Sequence, residues 1–243
     1  MEQRSLDGEV AVITGGTSGI GRACVRTLAG VGMRVVCGGR REERLAELRG
    51  QLGEKELATV KMDVRSPTDA SRLVDTALSA FGRVDALVAN AGVGAYGSIL
   101  DHSDDTLATM IDTNVSGTIW PIRAVIPPML DSGRGGDIVI MASVAGLRGG
   151  ANEAVYAATK FAQVGLAGAL DRELAPQGIR VTTLCPAGTR TEFALGRGRS
   201  PDMPELAEML DPEDVAGAVL TVLRQPRRLR TQLWSMWSMS EVG

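Results

Sequence analysis

Histidine appears once in these 243 residues, cysteine three times, and aromatic side chains make up only 3%. The lone His102 sits in LDHSDD at the start of a helical stretch, which argues against a His-centred base or a His-bearing metal site. Cys24, Cys37 and Cys185 lie far apart in the apolar stretches ACVRTL, VVCGG and TTLCPA. They have neither metal-ligand spacing nor a disulfide pattern, so a metal-free protein of the reducing cytoplasm is expected. No apolar run approaches the ~20 residues of a membrane span, and MEQRSLDGEV lacks the layout of a signal peptide. Positive charge is not in excess either: 26 Lys and Arg face 29 Asp and Glu, for a net charge of -3. That balance excludes a global attraction to nucleic acid or to an anionic membrane.

What the chain does have is a 44% hydrophobic content arranged in short runs. VAVIT (10–14), MRVVCG (33–38), LATVKM (57–62), VDALVAN (84–90), DIVIMAS (137–143), IRVTTLC (179–185) and TQLWSMW (231–237) read as strands. Helical stretches fall between them at about 19–31, 41–51, 67–81, 104–130, 153–176 and 212–225. Strands of nearly continuous apolar character alternating with helices predict a parallel sheet covered on both faces. The expected fold is therefore α/β, a single Rossmann-type doubly wound domain over 1–243 with about seven parallel strands. Ser66-Pro67 and Asp211-Pro212 place capping residues before prolines suited to a first helical position. Pro127 and Pro128 are expected to end or kink the fourth helix. A Gly- and Pro-bearing loop at about 188–211 follows the sixth strand, where such folds carry ligands.

The first strand runs into Gly15-Gly16-Thr17-Ser18-Gly19-Ile20-Gly21 and then a helix. Glycines permit close backbone approach, and the helix start offers free N–H groups to a pyrophosphate, so a dinucleotide site is expected here. The second strand ends at Gly39-Arg40-Arg41, where the adenosine ribose would lie. Guanidinium groups there favour a 2′-phosphate over a free hydroxyl, which points to NADP(H), with NAD(H) as the alternative. Farther on, Tyr156 and Lys160 stand four apart on one helix face. A phenol needs about three pKa units, roughly 4 kcal/mol, of stabilisation to act as a base at neutral pH, and a neighbouring ammonium works in that direction.

The order Thr14-Gly15, Gly19, Gly21, followed by Ser143, Tyr156 and Lys160, resembles the short-chain dehydrogenase/reductase family over nearly the whole chain. The resemblance implies a cofactor half at about 8–92 and a catalytic and substrate half at about 93–243. It implies cofactor contacts from Gly15, Thr17, Ser18, Gly19, Ile20, Gly21, Arg40 and Arg41, with Asp63 at the adenine and Val64 beside it. Asn90-Ala91-Gly92 would border the cofactor, and Pro186, Gly188, Thr189 and Thr191 would meet the nicotinamide end. Many NADP-preferring members carry Lys or Arg where this chain has Ser18, and Ala187 and Thr189 also depart from the usual residues. By resemblance, the catalytic set is Asn114, Ser143, Tyr156 and Lys160. Tyr156 would be the general acid/base. Lys160 would lower its pKa and hold the nicotinamide ribose, Ser143 would orient the substrate oxygen, and Asn114 would hold a water linking Lys160 to solvent.

The implied reaction is carbonyl–alcohol interconversion on a small molecule, a ketoreductase chemistry, by a homo-oligomer, tetramer or dimer. Loss of Tyr156 or Lys160 would have favoured a nucleotide-binding regulator, and wider Tyr–Lys spacing a reductase of conjugated double bonds. Arg197 and Arg199 are candidates to attract an acidic substrate group, with solvated loop arginines the bland alternative. Trp234 and Trp237 read as core or subunit-contact residues.

Overall fold

Val10, Ala11, Val12 and Ile13 alternate between the two faces of a strand, and all four are buried, so both faces of their sheet are covered. The computed structural model describes residues 3–241. It contains β1 (Val10–Thr14), β2 (Arg34–Gly39), β3 (Leu57–Lys61), β4 (Ala86–Ala89), β5 (Gly136–Met141), β6 (Ile179–Pro186) and β7 (Leu233–Met236). All pair in parallel in the order β3-β2-β1-β4-β5-β6-β7. The order reverses between β1 and β4, so their carboxyl ends open a crevice for a ligand.

One face of the sheet packs against α1 (Gly19–Ala29), α2 (Glu42–Leu52) and α7 (Pro212–Leu223), through Ile13, Val35, Leu28 and Val219. The other packs against α3 (Pro67–Phe81), α5 (Gly117–Asp131) and α6 (Ala154–Leu174), through Val12, Leu87, Ile138, Val125 and Leu174. Each such fully buried aliphatic side chain contributes about 1.5–3 kcal/mol. Ser66 caps α3 by accepting from Asp69 N, and Asp211 caps α7 in a reciprocal capping box with Asp214. Cys24, Cys37 and Cys185 are free and buried, and burial pushes their thiols up to about 12, 12 and 11. No helix among the described residues is long and apolar enough to cross a membrane.

The expected single helix over 104–130 is divided. α4 (Asp104–Ile111) passes through a π-helical turn at Asp112–Ser116 before α5 begins. Pro127 and Pro128 neither end nor interrupt α5, which continues to Asp131 and also contains Pro121. Pro127 and Arg123 both face solvent, so the Arg123 carbonyl that loses its helical partner is open to hydration. Nor are the late tryptophans in the core: Trp234 is exposed on β7 and Trp237 lines a cleft, because β7 is an edge strand with one open side.

Candidate active site

A cleft of about 1250 Å³ runs across the carboxyl ends of the strands. Of the residues singled out above for cofactor or catalysis, all but Asn114 line it. At its floor Gly15 adopts φ +69°, and a Cβ there would come within 2.8 Å of the Ala91 backbone. Asn90 Nδ2 donates to the Thr14 carbonyl at 3.0 Å, and Asn90 N and Ala91 N both donate to Thr14 Oγ1 at 3.1 Å. The end of β4 is thus tied to the turn after β1. Ser18, before α1, is extended and makes no side-chain cap, which leaves the first N–H groups of the helix facing the cleft. Thr191, from the loop after β6, packs 2.9 Å from where a Gly19 Cβ would sit, closing the turn from above.

At the end of β2, a Cβ on Gly39 would lie 2.6 Å from Thr17 Cγ2, so a larger residue has no room without a shift. Arg41 donates from Nη2 to Thr17 Oγ1 at 2.9 Å and to Ser18 Oγ at 2.7 Å. A positive charge therefore reaches the Ser18 position from residue 41. Arg40 is exposed beside it. Glu192 pairs with Arg44 at 2.7 Å and with Arg41 at 3.1 Å, and these guanidinium groups hold its carboxyl below the usual range. Asp63 accepts from Arg65 N at 3.0 Å and from its guanidinium, which lowers the Asp63 pKa. Val64 packs beneath Gly117, where a Cβ would come within 2.6 Å of its Cγ2.

On α6, Lys160 Nζ lies 5.6 Å from the centre of the Tyr156 ring, as i, i+4 spacing dictates. Both are buried. Burial pushes the Tyr156 phenol above its ordinary value; nearby Tyr96 adds to this, and the Ser143 hydroxyl opposes it. Burial draws Lys160 down to about 7. Its Nζ donates to the Met141 carbonyl at 2.9 Å and to Gln163 Oε1 at 2.9 Å. Ser143, at the end of β5, accepts from Ala145 N at 3.1 Å.

Asn114 lies behind the cleft, in the π-helical turn, fully buried. Its carboxamide accepts from Val93 N at 2.8 Å and donates to the Val93 carbonyl at 2.8 Å and to Thr159 Oγ1 at 3.0 Å. Its backbone carbonyl takes the Gln163 amide at 2.9 Å and the Thr118 hydroxyl at 2.7 Å. Sequence reasoning missed Gln163. The available signal was an amide standing in the largely apolar run KFAQVGLAGAL.

Three aromatic rings close the other end of the cleft: Tyr96 and Phe193 tilt against Tyr156, with ring centres 5.8 and 5.7 Å away. Phe193 is admitted by Gly94, whose Cβ would come within 2.6 Å of the ring. Trp237 joins the lining, with Arg148 stacked 5.0 Å above it. Tyr96 and Phe193 had no local signal, since they meet only through the fold. His102 stands outside the cleft lining.

Residues 9–200 match the family model described as short chain dehydrogenase. An uncharacterized oxidoreductase of Staphylococcus saprophyticus is 36% identical over 225 residues, covering 91% of this chain and 93% of its own. Among solved structures, a serine dehydrogenase complexed with NADP+ superposes with TM-score 0.90 at 31% identity, covering 96% of both chains. A 3-ketoacyl-(acyl-carrier-protein) reductase from Brucella melitensis complexed with NADH superposes with TM-score 0.86 at 31% identity, covering 95% of this chain and 97% of that one. These matches cover most of the chain, and the chain is an oxidoreductase of the short-chain dehydrogenase/reductase family.

Proposed function

We propose that this chain is an NADP(H)-dependent enzyme of the alcohol–carbonyl class (EC 1.1.1.-), interconverting a carbonyl and a secondary alcohol on a small molecule. The observation that carries the reading is the buried Tyr156 phenol held 5.6 Å from Lys160 Nζ, in the same cleft as Ser143 and the glycine turn.

The residues fit a dinucleotide. Glycine backbone and the open start of α1 suit a pyrophosphate, and Arg41 with Thr17 and Ser18 forms a donor cluster suited to a 2′-phosphate. The room denied at Gly39 disfavours the acid that would prefer a free ribose hydroxyl. When bound, the nicotinamide supplies the hydride. Asp63, Val64 and Asn90 to Gly92 would flank the adenosine, and Pro186, Gly188, Thr189 and Thr191 the nicotinamide end.

Tyr156, kept protonated by burial, donates its proton to the carbonyl oxygen in reduction, while Ser143 orients that oxygen. Lys160, when charged, favours the phenolate that remains and presents an N–H to the nicotinamide ribose. Asn114 acts from behind, fixing Val93 and, through Gln163, the position of Lys160. Oxidation reverses these transfers.

Exposed Phe161 and Ile111 on the helices of one face suit a homo-oligomer, dimer or tetramer, and three buried thiols suit a reducing cytoplasm. The test is a panel of carbonyls and alcohols followed at the absorbance of the reduced cofactor, with NADPH and NADH, for the wild type and Tyr156→Phe. Turnover in the wild type that falls at least about 10²-fold in the variant is expected; undiminished turnover in Tyr156→Phe rejects the mechanism.

A further inference from the structure

Of the arginines in the loop after β6, Arg197 and Arg199 both line the cleft but take different positions. Arg197 is exposed and contributes its carbonyl, which accepts from Tyr96 N at 2.9 Å. Arg199 turns inward and lines the cleft, with its guanidinium carbon 5.5 Å from the centre of the Tyr96 ring and 5.9 Å from that of Phe193. Those two rings are the ones that tilt against Tyr156. A positive charge therefore stands behind the two rings that flank the phenol and acts on it electrostatically.

Two other charges of this loop are ion-paired: Arg190 with Asp211, and Glu192 with Arg41 and Arg44. Among the described residues, Arg199 has no such ion pair; it donates from Nη1 to the Thr189 carbonyl at 3.3 Å and also bonds the Tyr96 phenol. Of the cleft's carboxylates, Asp63 and Glu192 pair with other arginines, Glu153 accepts from Gly150 N at 2.6 Å, and Glu241 Oε1 accepts from Gly188 N at 3.1 Å. A guanidinium offers five donors in a planar fork matched to a carboxylate. Half-buried against two aromatic rings, the guanidinium is held in place by cation–π contact and presents its remaining donors to the cleft.

We infer that Arg199 anchors a carboxylate of the substrate, so that the substrates are short oxo acids and the corresponding hydroxy acids. This rests on the oxidoreductase reading above. The carboxylate passes through unchanged. The carbonyl carbon gains a hydride, which carries the two electrons, from the reduced cofactor, its oxygen gains the Tyr156 proton, and a hydroxy acid leaves.

The experiment compares pyruvate, acetoacetate and levulinate with their methyl esters as substrates for NADPH-driven reduction by the wild type, Arg199→Met and Arg199→Lys. Circular dichroism and cofactor affinity serve as checks on folding. At least one acid should exceed its ester in kcat/KM by about ten- to a hundredfold, the range of a charge-assisted hydrogen bond. That ratio should collapse toward one in Arg199→Met and recover in part in Arg199→Lys. A ratio near one in the wild type overturns the inference, and so does a ratio that Arg199→Met leaves intact. Equal losses for acid and ester would mark a loop latch and fall in the second group. If none of the six compounds is reduced, calorimetric titration of the NADPH-loaded protein with them decides. Acid-selective binding that Arg199→Met abolishes supports the anchor, and equal or absent binding overturns it. The oxidoreductase reading fails separately, through the absence of turnover for every neutral and acidic carbonyl.

Discussion

Lys160 Nζ donates to the side-chain carbonyl of Gln163, one turn further along α6, at 2.9 Å. Gln163 Nε2 in turn donates to the Asn114 carbonyl at 2.9 Å and to Thr118 Oγ1 at 2.7 Å. By the resemblance Asn114 would hold a water linking Lys160 to solvent; the Gln163 amide joins Lys160 to Asn114 directly. A carboxamide cannot accept a proton from the lysine and pass another on without leaving its amide form. Gln163 thus fixes the Lys160 ammonium between α6 and the Asn114 carbonyl.

Opposite shifts are expected for two Gln163 variants. In Gln163→Glu, a carboxylate against the lysine favours the charged form, so the alkaline limb of the activity profile moves up by about one pH unit. In Gln163→Leu, the lysine loses an acceptor and the limb moves down. Loss of packing alone would not move the two limbs in opposite directions. Rate profiles across pH, with cofactor affinity measured in parallel, distinguish the cases.

Lys160 also links stability to pH. Its folded value of about 7 lies below the unfolded ~10.4, so between these values the unfolded chain holds the extra proton. Stability from this group therefore rises with pH across that window, with a slope of up to about 1.4 kcal/mol per pH unit. Below the folded value both states are protonated, the slope vanishes and the full burial penalty applies. Lys160→Met should lack the rise. Urea unfolding of both proteins at about pH 7 and about pH 9 measures it, and parallel lines would contradict the burial of a titrating lysine.

Glu192 competes for the guanidinium groups that would face a 2′-phosphate. Glu192→Gln should tighten NADPH binding about threefold at low salt, the scale of an exposed ion pair, and the gain should fade as salt is added. Arg41→Ala should weaken NADPH binding about tenfold or more and leave NADH far less affected. Fluorescence titrations with both cofactors measure these changes.

Gly39→Asp is expected to weaken NADPH binding without producing good NADH binding, because the new Cβ meets Thr17 Cγ2. Adding Thr17→Ala removes that methyl group, and the double variant should bind NADH better than the single one. If the single variant already binds NADH tightly, the backbone yields more readily than this packing implies.

The sheet was legible because its strands are apolar on both faces, a pattern that needs no knowledge of neighbours. Gly15, Tyr156 and Lys160 were legible because turn geometry and helix spacing are local. The π-helical turn around Asn114 was not, since its stabilising bonds reach Val93, 21 residues earlier, and Thr159, 45 residues later. The ring cluster of Tyr96, Tyr156 and Phe193 was hidden for the same reason. The core half of the reading of Trp237 gave way to a place in the cleft lining, because an edge strand and a core strand carry the same apolar residues, and only the sheet order tells them apart.

The three sequestered sulfurs give this enzyme built-in clocks of its own opening. A thiol whose pKa lies near 11 or 12 is almost wholly unreactive toward alkylating reagents until the structure around it parts. Cys185 ends β6 beside the reaction site, whereas Cys24 and Cys37 are sealed between α1 and the sheet. Differing modification rates at these sulfurs would separate breathing of the catalytic edge from opening of the whole fold, with no label introduced.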